Sequence, residues 1–351
     1  MFRYFIKKIS FGFFTLVGVV SLLFFLFQVL PGDPVSLMMG QRSDLETRKK
    51  IEKELGLDKP LFQRYLMYLN DISPIAVYEQ SEENKEKYAY TTLLPLGETA
   101  IVMKKPYLGK SFQSARSVSA IIPEYAVGTL WLAVAAITFA TFFGLLLGII
   151  SATFKDTFID RSLVFFSTLG ISLPSFVSGI LISVVFGVIF HKITGLNMIG
   201  SLYEISPEKG KHLALKNLIL PAFTLGIRPL AIITQLCRSS VLEVLKEDYV
   251  RTARAKGLSE KAVILKHVLK NALNPVITSV SGWFASLLAG SFFVEWIFSW
   301  KGLGMMTITS VTKLDYPVVI GITLYIAFIF VFITLVVDII YSILDPRVSF
   351  K

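Results

Sequence analysis

The stretch Glu247–Pro275 reads E-D-Y-V-R-T-A-R-A-K-G-L-S-E-K-A-V-I-L-K-H-V-L-K-N-A-L-N-P, and it is dense in charge within a mostly apolar chain. Apolar residues recur at three- to four-residue steps on both sides of Gly257, which predicts two short amphipathic helices. Gly257 suits the left-handed position that often ends a helix, because it has no β-carbon. Ser259 can cap the second helix, and Asn274-Pro275 ends it, since a residue before proline is pushed out of the helical region. The stretch therefore predicts a helix–turn–helix unit between two membrane spans.

The composition of the chain predicts a membrane protein. Of its 351 residues 54% are hydrophobic and only 17% are charged, which is too apolar for a soluble domain with a polar shell. The net charge of +10 could indicate nucleic-acid binding, but no soluble segment carries a basic stripe with interleaved aromatic residues. We therefore expect membrane lipid, and no nucleic acid, around this chain. The single cysteine, Cys237, excludes an internal disulfide.

Six apolar runs are long enough to span a bilayer, since about 20 helical residues cross its hydrocarbon core. The fold class expected is therefore all-α, a polytopic membrane protein with six transmembrane helices. The first run is predicted to stay uncleaved, because it is longer than the apolar region of a signal peptide and no small-x-small site follows it. The runs are Ile9–Leu30, Val127–Ala152, Leu163–Phe190, Leu218–Leu236, Val276–Phe298 and Val318–Leu344.

The distribution of Lys and Arg predicts the orientation of these spans. Fifteen of them fall on the side that carries both termini, the 153–162 loop and the 237–274 loop, whereas the two short loops on the other side carry six. Positive residues are in excess in cytoplasmic loops. We therefore expect both termini and the Gly257 turn in the cytoplasm.

Few residues inside the predicted spans are suited to transport chemistry. A proline frees a backbone carbonyl that protein or water must satisfy, so Pro174 and Pro221 are candidates for a path through the bundle, with a packing kink as the equal alternative. Arg228 is the strongest intramembrane candidate and could face an aqueous path or a structural ion pair within the bundle. Glu295 is expected near a span end, where snorkelling lowers the free-energy cost of its charge.

Two glycines in the second run, Gly144 and Gly148, form a small-xxx-small face typical of helix packing, although such pairs are also common by chance.

No catalytic residue, cofactor or metal site is predicted. The three histidines, His191, His212 and His267, are too scattered for a metal site. The chain contains no P-loop, so we do not expect it to hydrolyse ATP itself. No Ser-Lys, Asp-Asp or H-E-x-x-H constellation of an intramembrane protease lies within a span.

Residues 32–121 are polar and contain no span. Asp44–Leu57 predicts a short solvated helix, and Leu61–Leu69 predicts an amphipathic helix along the membrane interface. Ser81–Lys87 is predicted to be a mobile loop tip.

Several segments, taken in chain order, resemble one family. The run R-T-A-R-A-K-G-L-S at Arg251–Ser259 resembles the coupling loop of ABC importer permeases, in particular the oligopeptide, dipeptide and nickel branch of binding-protein-dependent importers. The segments L-P-G-D-P at Leu30–Pro34, V-E-x-x-F-x-x-x-G-L-G at Val294–Gly304 and D-Y-P at Asp315–Pro317 are similar to the same branch. The broader E-A-A motif of the superfamily is met only in part, because Arg251-Thr252-Ala253 stands in its place.

The resemblance implies a type I ABC importer permease fold and the function of a permease subunit in an ATP-driven importer. Such a subunit forms the translocation path for peptides or a similar small solute. The implied partners are a second homologous permease, two cytoplasmic ABC ATPase subunits and an extracytoplasmic solute-binding protein. The ATPase would dock on a coupling loop formed by Glu247, Asp248, Tyr249, Arg251, Thr252, Ala253, Arg254, Ala255, Lys256 and Gly257.

The resemblance also implies a domain organisation in the cell inner membrane. An N-terminal span at 1–31 precedes an extracytoplasmic region at 32–121, in which 75–105 is a predicted insertion. The permease domain covers 122–344, with five spans and the coupling loop at 237–274, and a cytoplasmic tail covers 345–351.

Three alternatives stay open on the sequence alone. The Gly257 unit could be a basic amphipathic connector that lies on lipid headgroups. The chain could be a secondary transporter, although it shows no inverted repeat and no central carboxylate pair. It could also be a membrane-anchored scaffold whose outer region binds a partner.

Overall fold

The computed structural model describes residues 2–29, 35–36, 45–54, 56–207, 210–289 and 291–344. The chain forms two compact units, Met1–Glu124 with Thr307–Phe328, and Tyr125–Met306 with Ile329–Lys351. The predicted tail at 345–351 and the L-P-G-D-P segment at Leu30–Pro34 lie outside the described residues.

Helices make up most of the described chain, so the predicted helical class is confirmed. The helices are α1 Phe2–Val29, α2 Leu45–Glu54, α3 Leu61–Ile72, α4 Glu82–Tyr88, α5 Val118–Thr153, α6 Phe158–Ser172, α7 Ser175–Val184, α8 His191–Thr194, α9 Ile219–Val244, α10 Asp248–Ala255, α11 Glu260–Ala262, α12 Leu269–Ala272, α13 Asn274–Ala289, α14 Phe292–Ile297, α15 Leu303–Thr312 and α16 Tyr316–Leu344.

Shorter elements complete the described chain. A π-helical turn at Val185–Ile189 extends α7, a 3-10 turn at Leu215–Leu218 precedes α9, and a π-helical turn at Val263–Val268 joins α11 to α12. The strands are β1 Ile75–Glu79, β2 Thr91–Leu96, β3 Thr99–Met103, β4 Tyr203–Ser206 and β5 Gly210–Leu213. None of these strands is predicted from the sequence.

Five of the six predicted apolar runs map onto four long helices and one bent helix pair, and the fifth run, Val276–Phe298, falls on α13 and α14. Within the described residues, the four helices that are long and apolar enough to cross a membrane are Ile6–Phe27, Val118–Thr153, Leu215–Val244 and Tyr316–Ile339. The bent pairs are Phe158–Ser172 with Ser175–Ile189, and Glu260–Ala272 with Asn274–Ala289. The number of spans is six if each pair is one span.

The third predicted run bends sharply at the proline that the sequence singled out. Helices α6 and α7 meet at an angle of 106°. Leu173 is extended, with φ −84° and ψ 132°, and Pro174 follows it as the residue before α7. A residue before proline avoids the helical region, which explains why the helix breaks here. The sequence predicts a kink within one helix, whereas in the structure two separate helices, α6 and α7, meet at nearly a right angle.

In the first unit, α1 packs against α3 and against the first half of α16. Val20, Leu23 and Leu324 are buried together, and Tyr68 and Leu69 of α3 pack on them. Helix α3 contains the predicted amphipathic segment and continues to Ile72.

The predicted mobile loop tip at Ser81–Lys87 is wrong. This segment belongs to helix α4, because Ser81 Oγ accepts a hydrogen bond from the backbone N–H of Asn84 at 3.2 Å and caps the helix. Helix α4 connects β1 to β2, and the three strands form an antiparallel sheet in the order β1-β3-β2. A folded α/β element therefore occupies most of 75–105, the segment that is predicted to be an insertion.

In the second unit, α5 and α9 pack closely along the predicted glycine face. A β-carbon on Gly144 would lie 2.7 Å from Cγ2 of Ile233, and one on Gly148 would lie 2.6 Å from Cβ of Cys237. These distances are too short for any side chain, so the two glycines permit the close approach of the helices. Cys237 is fully buried at this contact.

Candidate functional site

The Gly257 unit folds as the helix–turn–helix that the sequence predicts. Gly257 has a φ of +81°, which is the left-handed conformation, and its N–H donates to the carbonyl of Arg254 at 2.9 Å. Ser259 Oγ accepts from the N–H of Ala262 at 3.4 Å and caps the second helix. No described atom lies within 4 Å of a β-carbon placed on Gly257. The turn therefore faces open space.

The inner face of this unit is apolar and rests on the end of α9. Val250 and Ala253 of α10 are buried in one cluster with residues of the second helix and of α9, which are Val263, Val268, Ala272, Val241 and Cys237. Burial of a valine side chain stabilises a fold by roughly 1.5–3 kcal/mol. The cluster therefore fixes the position of the two short helices relative to α9.

The ten predicted coupling residues divide into one supporting residue and an exposed rim. Ala253 is buried and belongs to the apolar support. The others are exposed and include five charged side chains and one aromatic side chain; they are Glu247, Asp248, Tyr249, Arg251, Thr252, Arg254, Ala255, Lys256 and Gly257.

Two polar contacts hold the two short helices against each other. Arg254 Nε and Nη2 donate to the two carboxylate oxygens of Glu260 at 2.8 and 3.1 Å. Asn271 Nδ2 donates to the hydroxyl oxygen of Tyr249 at 2.7 Å. Because Arg254 and Glu260 are 40% and 65% exposed, their pair contributes at most about 1 kcal/mol. These contacts fix the relative orientation of the two helices and contribute little to the stability of the fold.

A buried ion pair that the sequence does not predict joins α9 to α5 and α6. Arg238 Nε and Nη2 donate to Oδ1 and Oδ2 of Asp160, both at 2.7 Å. Ser151 Oγ also donates to Asp160, and the N–H of Asp156 donates at 2.9 Å. Asp160 is only 3% exposed. The ends of three helices therefore meet at one carboxylate, just before α9 leads into the Gly257 unit.

The three predicted path residues occupy different environments. Pro174 is exposed at the 106° bend, whereas Pro221 is buried in the first turn of α9, where a missing N–H breaks no helical hydrogen bond. The proline inside α9 is Pro229. Arg228 is exposed, and within the described part of the chain it makes no ion pair. The structural ion pair that was an alternative for Arg228 is therefore not seen among these residues.

Glu295 is fully buried, so the expectation that it snorkels is wrong. Its carboxylate accepts hydrogen bonds from Thr129 Oγ1 at 2.8 Å, Ser291 Oγ at 3.1 Å, Gly304 N at 2.7 Å and Met305 N at 3.1 Å. Burial of a charged group is tolerated when several donors compensate for lost water. The Glu295 carboxylate thus holds the connection from α14 to α15 against α5. Spacing along the sequence contains no signal for this network, since Thr129 lies 166 residues away.

Within the described residues, no group of three or more His, Cys, Asp or Glu side chains is placed to hold a metal ion.

Comparison with known proteins identifies the family. The family model described as "Binding-protein-dependent transport system inner membrane component" matches residues 144–350. The one described as "Binding-prot-dependent transport system membrane comp, N-term" matches residues 1–86. The first match covers more than half of the chain. The chain belongs to this family of inner-membrane importer components.

Curated relatives match over nearly the whole chain. The chain is 36% identical over 349 residues to the di/tripeptide transport system permease protein DppB of Pseudomonas aeruginosa, with 95% of each chain covered. It is 35% identical over 352 residues to the glutathione transport system permease protein GsiC of Escherichia coli O6:H1, with 100% of each covered. These matches confirm the resemblance to the peptide branch of ABC importer permeases and, with it, the type I permease fold.

A similar solved structure is an inward-facing MetNI methionine ABC transporter. The match has a TM-score of 0.48 and 16% identity, and it covers 65% of this chain and 97% of that chain.

Proposed function

We propose that this chain, a permease subunit of a binding-protein-dependent importer, carries small peptides, and that Glu247–Gly257 couples it to a cytoplasmic ATPase. The relatives named for di/tripeptide and glutathione transport support a small peptide as the cargo. The remaining partners are a second homologous permease, a second ATPase subunit and an extracytoplasmic binding protein. ATP hydrolysis takes place on the ATPase subunits.

The observation that carries the coupling role is the contrast between the two faces of the Gly257 unit. Its inner face is a buried apolar cluster, and its outer rim is charged and exposed. An element that transmits motion must be held rigidly against the helices of its own chain, and its opposite face must be exposed to the partner protein. The acidic residues Glu247 and Asp248 lie at the start of α10 and Arg254 lies in its last turn, an arrangement that the helix dipole favours. The rim therefore offers a partner ordered charges of both signs.

The Asp160–Arg238 pair supports a route from this unit into the bundle. Arg238 is in the last two turns of α9, and Asp160 is in the first turn of α6. A displacement of the Gly257 unit acts on α9 through the apolar cluster. Because the carboxylate of Asp160 also binds Ser151 of α5, that displacement would move three helix ends together.

The cargo path is proposed to include Arg228, Pro174 and Pro221. Small peptides carry a carboxylate at neutral pH, and an exposed arginine in a span is a fitting partner for it. The break at Pro174 provides a non-helical backbone segment, which is tolerated in a membrane where it lines a cavity. The domain boundaries follow the sequence prediction, with both termini in the cytoplasm and 32–121 facing the binding protein.

Co-purification of the ATPase subunits tests the coupling role. The wild-type chain and an Arg254→Glu plus Gly257→Pro double variant are expressed with the candidate ATPases and compared. We expect the wild type to retain the ATPase and the double variant to lose it while it stays folded in the membrane. Lys270→Glu is the matched control, since Lys270 is an exposed charge of α12 outside the rim. If the double variant binds ATPase as well as the wild type does, the unit is a headgroup-lying connector.

Uptake of a labelled dipeptide tests the path. The assembled importer is reconstituted with its binding protein, and Arg228→Ala is compared with Arg228→Lys. We expect Arg228→Ala to reduce uptake at least about tenfold at unchanged basal ATPase activity, and Arg228→Lys to restore part of it, because a paired charge contributes about 1.4 kcal/mol or more. Unchanged uptake by Arg228→Ala would remove Arg228 from the path.

A further inference from the structure

One face of α9 changes from buried to open partway along the helix. Residues three or four apart in a helix lie on the same face. Six residues of α9 follow this spacing, and only the first two are buried; in order they are Pro221, Thr224, Arg228, Ile232, Gln235 and Ser239. The four from Arg228 onward are exposed or half-buried and are here called the open face of α9. Arg228 lies near the middle of the candidate span Leu215–Val244.

The N-terminal part of this face is covered by α7 and by the end of α14. Thr224 is 2% exposed, and a β-carbon on Gly179 of α7 would lie 3.6 Å from its Cγ2. The same β-carbon would lie 3.4 Å from Cδ1 of Ile297 and 3.7 Å from Cε2 of Phe298. These side chains meet around Gly179 and close the face beside Thr224. Arg228, one turn further along α9, is therefore the first of the six side chains that is open.

The open face differs from the face on the other side of α9. There, Ile233 and Cys237 approach Gly144 and Gly148 of α5 in a close helix contact, which requires small residues. The open face has no glycine or alanine, and three of its four side chains are long. Lipid is a poor environment for it, because a charged side chain near the middle of a span is costly unless it faces water or a partner. The open face therefore suits a water-filled path.

The helices around Arg228 supply no carboxylate for it. Among the described residues, Arg228 and Gln235 have no hydrogen-bond or ion-pair partner. Helices α6, α7, α13 and α14 pack on α9, and the two acidic residues that they contain are engaged. Asp160 is bound by Arg238, and the Glu295 carboxylate accepts four hydrogen bonds. The acidic residue of α9 itself lies at its C-terminal end. A carboxylate that pairs with Arg228 therefore comes from another molecule.

We propose that Arg228 and Gln235 form a two-ended site for a small peptide, in which Arg228 binds the C-terminal carboxylate and Gln235 binds the N-terminal ammonium group. A guanidinium donates two parallel N–H groups to a carboxylate, and the side-chain carbonyl of glutamine accepts from an ammonium group. At 1.5 Å per residue, Gln235 lies about 10 Å along α9 from Arg228. An extended peptide spans about 3.3–3.6 Å per residue, so the site fits about three residues.

This inference rests on the cargo path proposed above and adds to it a second binding residue, Gln235, and a preferred peptide length. The charge of Arg228 and the acceptor of Gln235 complement the two ends of a free peptide. A helix of a second permease is the alternative occupant of the open face. In that case the face would not distinguish one peptide end from another.

Equilibrium binding of tri-alanine to the assembled importer in lipid nanodiscs tests the site. Radiolabelled tri-alanine is compared with its N-acetyl derivative and its C-terminal amide. Nucleotide and binding protein are left out, so that selection by the binding protein does not contribute. Gln235→Leu removes the acceptor, and Gln235→Glu keeps an acceptor of the same shape. Gln63→Leu is the matched control, since Gln63 is an exposed glutamine of α3.

We expect the wild type to bind tri-alanine about tenfold more tightly than either derivative, because each derivative loses a hydrogen bond to a charged group. Gln235→Leu should abolish the preference over the N-acetyl derivative and keep the preference over the amide, and Arg228→Met should do the converse. Gln235→Glu should increase the preference over the N-acetyl derivative, since its carboxylate attracts the ammonium group. Gln63→Leu should change neither preference. Penta-alanine should bind the wild type several-fold more weakly than tri-alanine.

Two results would overturn the two-ended site. One is a wild type without preference for tri-alanine over its derivatives, which would favour a second permease as the occupant. The other is an equal weakening of all three ligands by Gln235→Leu, because a purely structural role does not depend on the peptide's ends. If dipeptide uptake still depends on Arg228, the proposed path stands and only this site is wrong. If uptake does not depend on Arg228, the path itself is wrong.

Discussion

The turn around Gly257 and the connection around Glu295 both combine glycine with polar side chains, yet they are built in opposite ways. Around Gly257 the charges are exposed, and Arg254 and Glu260 pair in partial contact with water. Glu295 is fully buried and takes four hydrogen bonds from donors in the same unit.

This difference separates two uses of a charged side chain. The Glu295 carboxylate stabilises its own chain, because its donors would be left without an acceptor if it were removed. The charges of the Gly257 turn contribute little to folding, because water competes for them. Substitutions at Glu295 should therefore affect folding, and substitutions of the charged side chains of the Gly257 turn should change the stability of the fold little.

Glu295→Ala should produce the largest loss of stability. The N–H groups of Gly304 and Met305 and the hydroxyl of Thr129 lose their acceptor, and each unsatisfied buried group costs roughly 1–3 kcal/mol. We expect a loss of at least about 3 kcal/mol in the free energy of unfolding. Thermal unfolding in nanodiscs measures it, with Glu243→Ala on the exposed side of α9 as control. Equal unfolding temperatures for the two variants would contradict the buried network.

Gly302→Ala should produce the next largest loss of stability. We expect its free energy of unfolding to fall by about 1–3 kcal/mol, because an added methyl group overpacks the site. Its β-carbon would lie 2.3 Å from Oε2 of Glu295 and 2.7 Å from Oγ1 of Thr129. In a Glu295→Ala background, Gly302→Ala should lower the free energy of unfolding by less, because the carboxylate that would collide with the added methyl group is absent. A double-mutant cycle by thermal unfolding measures this coupling. Strict additivity of the two losses would show that Gly302 is not limited by Glu295.

Gly257→Ala should cost about 1–2 kcal/mol for a different reason. A β-carbon there meets open space among the described residues, but the φ of +81° is unfavourable for a residue with a side chain. Gly257→Asn should cost less, because asparagine tolerates the left-handed region. Unfolding of the three proteins side by side checks the order. If alanine and asparagine were equally harmful, backbone conformation would not be the cause.

Arg254→Ala should have the smallest effect on stability, less than about 1 kcal/mol, since its pair with Glu260 is exposed. Its effect on ATPase co-purification should be large if the rim binds the ATPase. Glu260→Ala removes the same ion pair but keeps the positive charge of Arg254. Comparison of the two variants therefore separates the effect of losing the ion pair from the effect of losing the arginine charge. A loss of folding in Arg254→Ala comparable to that in Glu295→Ala would erase the contrast between the two regions.

Local sequence was sufficient where the cause is local. The left-handed Gly257 and the cap by Ser259 depend on residues within a few positions, and the structure shows both. The close contact at Gly144 and Gly148 is also confirmed, because the absence of two side chains on one helix face is visible in the sequence.

Prediction from the sequence failed where the partner is distant. Asp160 and Arg238 are 78 residues apart, so each looks like an ordinary loop charge. The sequence predicts Glu295 near a span end, because neither its donor Thr129, 166 residues away, nor the loop that covers it is apparent from local spacing. The sequence does not predict the helix at Glu82–Tyr88, because its charged composition also suits a mobile loop.

The sequence by itself determined the apolar runs, the Gly257 turn and the family, because hydrophobic length, glycine conformation and a motif are properties of neighbouring residues. Only the tertiary structure decided which charges are buried, how far the chain bends at Pro174 and which face of α9 stays open. These properties depend on residues far apart in the chain. The free energy of a charge or an apolar side chain is set by what surrounds it, and folding assembles those surroundings.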